Sequence, residues 1–216
     1  MKEEVEKCIR ENRIVAIIRG FEPEVCLKLA EAYVAGGIRT VEVTYVQTDR
    51  ALWAKTTAAI NAIATRFGGE VCVGAGTVLT PEQLQMTQDA GGQFMVAPNT
   101  KPELIRACVA KGMAAIPGAM TPTEVVNAWE AGASFVKLFP AGRLGPDYVK
   151  ALKAPLKHIP MLAVGGITPD NVADFIKAGC IGAAVSGVLQ NKEWMAAGEW
   201  GKITDVARTL VERSKP

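Results

Sequence analysis

The segment Ser134-Phe135-Val136-Lys137-Leu138-Phe139-Pro140 sets one lysine among apolar residues, and a period of two puts it on the face of Phe135 and Phe139. A lysine on a desolvated face favours its neutral amine, a nucleophile toward ketones. On the opposite face the same lysine would snorkel to solvent between helices. Val41-Glu42-Val43-Thr44 places a carboxylate in an apolar strand with Thr44 on its face. Such a carboxylate can move protons next to a Schiff base, or serve as half of a buried ion pair, with Lys137 as a possible partner. Arg19 closes Ile17-Ile18-Arg19-Gly20, and its fork could hold a carboxylate or point outward to solvent.

Three small-residue stretches complete the set. Gly74-Ala75-Gly76-Thr77 could let backbone N–H groups approach a ligand, with the Thr77 hydroxyl as a further donor, or could simply form a tight turn. Val164-Gly165-Gly166-Ile167-Thr168 and Val185-Ser186-Gly187 each end an apolar run. Together they suit a phosphate or similar anion, provided they close the last two strands of a barrel.

Eight short β-branched or apolar runs could carry these residues: 14–19, 40–44, 70–74, 93–97, 114–116, 134–139, 161–164 and 182–186. Amphipathic stretches with helical spacing separate them, and this alternation implies parallel strands with crossover helices. Thr80-Pro81-Glu82-Gln83, Thr121-Pro122-Thr123-Glu124 and Thr100-Lys101-Pro102-Glu103 have the form of capping boxes, and glycines at 36–37, 91–92, 112, 132 and 179 mark helix ends. No GxGxxG turn follows the first run, where Arg19-Gly20-Phe21 stands instead. The expected fold is a (β/α)8 TIM barrel forming one domain over residues 1–216, with its site at the C-terminal ends of the strands.

The chain has 216 residues, 49% hydrophobic and 21% charged, with a formal charge of +2 and no long run of one sign. Nucleic acid and membrane surfaces are therefore not expected partners, whereas a small anionic substrate needs only a few local donors. No signal peptide is expected in Met1–Asn12, and no apolar run is long enough to span a membrane. Five cysteines without CxxC spacing read as free thiols in a reducing cytoplasm. The one histidine, His158, falls in a loop, so a multi-histidine metal site is not expected. The four tryptophans are expected to pack.

Several motifs in order resemble the 2-keto-3-deoxy-6-phosphogluconate and 4-hydroxy-2-oxoglutarate aldolase family over nearly the whole chain. They are Ile14-Val15-Ala16-Ile17-Ile18-Arg19-Gly20, Val41-Glu42-Val43-Thr44, Gly74-Ala75-Gly76-Thr77-Val78, Ala97-Pro98-Asn99, Ile116-Pro117-Gly118, Val136-Lys137-Leu138-Phe139-Pro140, Leu144-Gly145-Pro146 and Val164-Gly165-Gly166. The resemblance implies a class I aldolase on a (β/α)8 barrel, a cytoplasmic homotrimer without metal or cofactor. It would cleave a 2-keto-3-deoxy-6-phospho sugar acid to pyruvate and glyceraldehyde 3-phosphate, or 4-hydroxy-2-oxoglutarate to pyruvate and glyoxylate. It makes Lys137 the Schiff-base lysine and Glu42 the general acid/base. Arg19 and Thr77 would hold the pyruvate carboxylate, and Thr44 is counted with the substrate-binding residues. Pro98, Pro117 and Gly118 would shape the pocket wall, and Gly165, Gly166 and Ser186 would bind the phosphate. The chain departs from many members by carrying Val46 where they place an arginine and Ala97 where they place Ser or Thr. Ala163-Val164 before the glycine pair resembles the galactonate branch. The competing readings are a phosphate-binding isomerase or synthase whose lysine acts only as a charge, and a metabolite-binding barrel without turnover.

Overall fold

The structure is a computed structural model that describes residues 1–215. The elements follow one another as α1 (Lys2–Asn12), β1 (Ile14–Arg19), α2 (Pro23–Ala35), β2 (Thr40–Thr44), α3 (Trp53–Phe67), β3 (Cys72–Gly76), α4 (Pro81–Asp89), β4 (Phe94–Val96), α5 (Pro102–Ala110), β5 (Ala114–Ile116), β6 (Gly118–Ala119), α6 (Pro122–Glu130), β7 (Val136–Leu138), α7 (Ala141–Lys153), β8 (Met161–Val164), α8 (Val172–Lys177), β9 (Gly182–Val185), α9 (Lys192–Ala196) and α10 (Trp200–Arg213). All strand pairs are parallel, in the order β5-β4-β3-β2-β1-β9-β8-β7-β6. The two ends of this order, β5 and β6, are successive pieces of one stretch split at Pro117, so the sheet closes on itself as an eight-stranded barrel. Proline has no N–H to give to a ladder, which accounts for the split. Its carbonyl still accepts from Lys137 N at 2.9 Å and keeps the ring continuous there.

Two packed layers hold the barrel. Residues such as Val41, Val43, Val73, Val136 and Leu138 face outward into the shell of helices. Val15, Ile17, Phe94, Val96, Ile116, Phe135, Leu162 and Val164 fill the interior. The third strand starts at Cys72, two residues later than the pattern suggested, because Glu70 N still bonds back to Phe67 O in the turn that leaves α3. The charged segment before β1 is a helix, which the sequence reading had not placed. Val5 and Ile9 of α1 are fully buried against the interior residues and close the N-terminal end of the barrel. Burial of each side chain contributes about 1.5–3 kcal/mol, enough to dock a helix whose other face is charged.

The capping boxes at Thr80/Gln83 and Thr121/Glu124 form with both reciprocal hydrogen bonds. The one expected at Thr100 does not. Pro102 takes the first helical position, so Lys101 becomes the N-cap and Thr100 lies one residue too early. Its hydroxyl instead donates to Gly118 O at 2.9 Å and ties the loop after β4 to β6.

Candidate active site at the C-terminal mouth of the barrel

Alternation along β7 carries Lys137 inward between Phe135 and Phe139, where only 6% of it is exposed. Its Nζ lies 5.0 Å from the centre of the Phe139 ring. Glu42 on β2 also points inward and is fully buried, with Oε1 accepting from the Thr44 hydroxyl at 3.1 Å and Oε2 without a partner. Burial lowers the Lys137 pKa from the ordinary lysine value and raises that of Glu42 from the ordinary carboxylate value. Each charge favours ionisation of the other, but desolvation is the larger effect on both. Arg19 adds to the depression of Lys137 and opposes the rise of Glu42. The pair is therefore biased toward a neutral amine beside a protonated carboxyl.

Space for the carboxyl comes from β3. Glu42 stands opposite Gly74 in the ladder, and Gly76 is the next inward residue. A Cβ on Gly76 would lie 1.6 Å from Glu42 Oε1, and one on Gly74 would lie 2.4 Å from Phe94 O and 2.6 Å from its ring. The two glycines thus make room for Glu42 and Phe94 in the barrel core.

Above this layer opens a cavity of about 470 Å³, lined by Arg19, Thr77, Pro98, Lys137, Phe139 and the two glycine-containing loops after β8 and β9. Of the residues singled out in the sequence, the structure brings Lys137, Arg19, Thr77, Pro98, Gly165, Gly166 and Ser186 together on this wall. Glu42 and Thr44 lie behind it, and the Thr44 hydroxyl is spent on Glu42. Pro117 and Gly118 are also set back from the wall. A Cβ on Gly118 would come within 2.3 Å of Pro98 O, so this residue supports Pro98 from behind.

Thr77 holds a φ of 54°, a left-handed conformation seldom adopted by a β-branched residue. A chain of amides maintains it. Gln47 Nε2 donates to Thr77 O at 2.7 Å, and Gln83 Nε2 donates to Gln47 Oε1 at 3.1 Å. The buried Gln83 also caps α4. Neither Gln47 nor its tie to Thr77 was read from the sequence, since the two residues are 30 apart in the chain. Gln190, which donates to Ser186 Oγ at 3.2 Å and also to Ile17 O, was likewise missed. Val46, at the place of the absent arginine, lines a small space beside the mouth, and its carbonyl accepts from Trp53 Nε1. Among the described residues no cluster of three or more His, Cys, Asp or Glu side chains is placed to bind a metal.

A closed α/β barrel with a buried lysine and a buried glutamate beneath an open cavity of about 470 Å³ has the form of an enzyme built for carbonyl chemistry. The profile of the KDPG and KHG aldolase family matches residues 5–206, and the chain belongs to that family. It is 41% identical over 177 residues to the 2-dehydro-3-deoxy-6-phosphogalactonate aldolase of Escherichia coli K12, covering 82% of this chain and 83% of that one. It is 34% identical over 217 residues to the KHG/KDPG aldolase of the same strain, covering 99% of this chain and 98% of the other. A native KDPGal structure superposes with a TM-score of 0.81 at 38% identity over 93% of each chain. A KDPG aldolase from Legionella pneumophila, captured with pyruvate as a covalent carbinolamine, superposes with a TM-score of 0.83 at 25% identity, over 95% of this chain and 97% of that one. The chain is a carbon–carbon lyase of the class I aldolase type.

Proposed function

We propose that the chain cleaves a 2-keto-3-deoxy-6-phospho sugar acid to pyruvate and glyceraldehyde 3-phosphate through a Schiff base on Lys137. The observation that carries this assignment is a buried amine at the cavity wall, backed by a buried carboxyl with one unpartnered oxygen. The neutral Nζ attacks the C2 ketone and gives a carbinolamine. Protonated Glu42 donates to its hydroxyl, water leaves, and an iminium forms. The carboxylate then accepts, directly or through water, the proton of the C4 hydroxyl as C3–C4 breaks. The bonding pair flows into the iminium, which becomes an enamine as the aldehyde departs. Glu42 returns the proton to C3, and water releases pyruvate and restores the amine.

Arg19 and Thr77 hold the pyruvate carboxylate in this scheme, with Pro98 as the wall. Gly165, Gly166 and Ser186 hold the phosphate. Thr44 is a positioning residue that occupies one Glu42 oxygen and leaves the other to the substrate. The greater identity to the galactonate enzyme than to the KHG/KDPG enzyme, together with Ala163-Val164 beneath the mouth, favours the galactonate substrate. The enzyme works in the cytoplasm as a homotrimer, and exposed Met120 and Trp129 supply apolar surface for association. Sedimentation would read the subunit number.

The deciding experiment is reduction with borohydride in the presence of pyruvate, followed by peptide mapping. A reduced pyruvyl adduct on Lys137, absent in Lys137→Ala, supports the scheme. An unmodified folded protein, or full aldolase activity in Lys137→Ala, defeats it. The kcat/KM for the galactonate and gluconate epimers then assigns the substrate.

A further inference from the structure

A second cleft, of about 490 Å³, lies at the opposite end of the barrel, where α1 docks. Its lining includes Cys8 and Asn12 of α1 together with Arg39, Glu70 and Cys72 from the starts of the strands. The half-buried Cys8 Sγ is 3.4 Å from Arg39 O and 3.4 Å from Thr40 Oγ1, with Asn12 Nδ2 at 3.6 Å. Cys72 N donates to the same Arg39 carbonyl at 2.9 Å, and Cys72 stands directly opposite Thr40 in the β2–β3 ladder. The Cys8 thiol and the Cys72 backbone N–H thus meet at one carbonyl, Cys72 is the ladder neighbour of the threonine that the Cys8 thiol touches, and both cysteines, 64 positions apart in the sequence, line the cleft. The aldol chemistry uses neither of them. Cys26, Cys108 and Cys180 are buried, and burial pushes each up to about 12.

We propose that Cys8 and Cys72 form a redox-active dithiol that accepts a low-molecular-weight disulfide as oxidant and closes to an internal disulfide pinning α1 to β3. Cys8 is the attacking thiol. It is the half-buried thiol of the two and faces the cleft, whereas Cys72 is buried. The neighbouring Cys72 thiol, helped by Thr40 and Asn12, favours the Cys8 thiolate against the opposing effect of burial, and Cys72 itself is pushed upward by that neighbour and by burial. The charged groups around the cleft are Glu4, Lys7 and Glu11 on α1 and Arg39 and Glu70 from the strand side. Lys7 pairs with Glu11 and Arg39 with Glu70, each at 3.9 Å, so no single charge dominates and the hydrogen bonds set the bias.

With oxidised glutathione as oxidant, the Cys8 thiolate attacks one sulfur, the S–S bond breaks, and one glutathione leaves as a thiolate. Cys72 gives its proton to that thiolate or to water and attacks the Cys8 sulfur, expelling the second glutathione. Two protein thiols lose two electrons in all, and one glutathione disulfide becomes two glutathione thiols.

Folded protein is incubated with oxidised glutathione at neutral pH, quenched with acid, titrated for thiols in denaturant and mapped without reduction. The free thiols are expected to fall from five to three, with one Cys8–Cys72 cross-linked peptide and no retained glutathione. Cys72→Ser is expected to stop at a glutathione adduct on Cys8, and Cys8→Ser to keep its four thiols. Alkylation of Cys8 by iodoacetamide is expected to titrate below the ordinary thiol range in the parent protein and at higher pH in Cys72→Ala, which leaves no donor at that position. Five surviving thiols in the parent, a stable adduct on its Cys8, a disulfide between any other pair, or an unmoved alkylation midpoint in Cys72→Ala each overturns the proposal.

Discussion

Replacing Gly76 with alanine tests the placement of Glu42 without altering any group that carries a proton. Gly76 has ordinary strand geometry, so alanine meets no backbone strain there. Its methyl carbon would stand 1.6 Å from Glu42 Oε1, 2.3 Å from Cδ and 2.8 Å from Cγ. To reach an ordinary contact of 3.4 Å the carboxyl oxygen must retreat by about 1.8 Å. A displacement of about 1 Å at a reacting group costs on the order of 100-fold in rate, which is about 2.7 kcal/mol of barrier. Overpacking costs a further ~1–3 kcal/mol of fold stability, or a Tm lower by about 2–12 °C for a chain of this size. The assay is exchange of the pyruvate methyl protons into deuterated water, followed by NMR. It reports formation of the iminium and its enamine and does not depend on which sugar acid is the substrate. Gly76→Ala is expected to slow this exchange by about 100-fold while borohydride still traps pyruvate on Lys137. Exchange within threefold of the parent in the folded variant would refute the reasoning. Glu42 would then not be the proton carrier at C3, or its place would not depend on the missing methyl.

Thr44→Val removes the hydrogen bond to Glu42 Oε1 at nearly constant volume. That bond favours the ionised carboxyl, so the pH–rate limb assigned to Glu42 should move upward and kcat should fall about tenfold, for the loss of ~1.5 kcal/mol from a bond to a charged group; Thr44→Ser should restore both. The pH midpoint for pyruvate trapping on Lys137 should fall in Glu42→Gln, where a negative neighbour is lost, and rise in Arg19→Gln, where a positive one is lost. Equal shifts of the same sign would refute the electrostatic assignment. Tyr33→Phe leaves Leu189 O without the donor now 3.0 Å away, and it should cost ~1–2 kcal/mol and lower Tm by about 2–8 °C in a melting experiment. Because Leu189 follows the Ser186 loop, KM for the phosphorylated substrate should rise more than kcat falls.

The barrel was legible in the sequence because parallel strands buried on both faces are short β-branched runs, and crossover helices bring their own caps and glycine ends. The boundaries of β1, β2 and β8 coincide with the runs at 14–19, 40–44 and 161–164. Alternation placed Lys137 on the face it shares with Phe135 and Phe139, which the closed barrel turns inward, and the family followed from the order of the motifs. Other features depended on which distant residues meet. The plug formed by α1 could not be read from a charged helix whose partner surface exists only once the barrel closes. The break at Pro117 depends on which neighbours β5 and β6 find. The sequence left Gly74 and Gly76 open as a ligand approach or a tight turn, and only the fold shows Phe94 and Glu42 occupying the place of their missing side chains. The Gln83–Gln47–Thr77 chain and the meeting of Cys8 with Cys72 join residues far apart in sequence, for which no local spacing gives a signal. The sequence by itself determined which groups are present and which residues share a strand face, because strand periodicity is a local property. Only the tertiary structure decided how deeply Lys137 and Glu42 are desolvated and which polar groups reach them, because burial and hydrogen bonding depend on neighbours that closure of the barrel brings together.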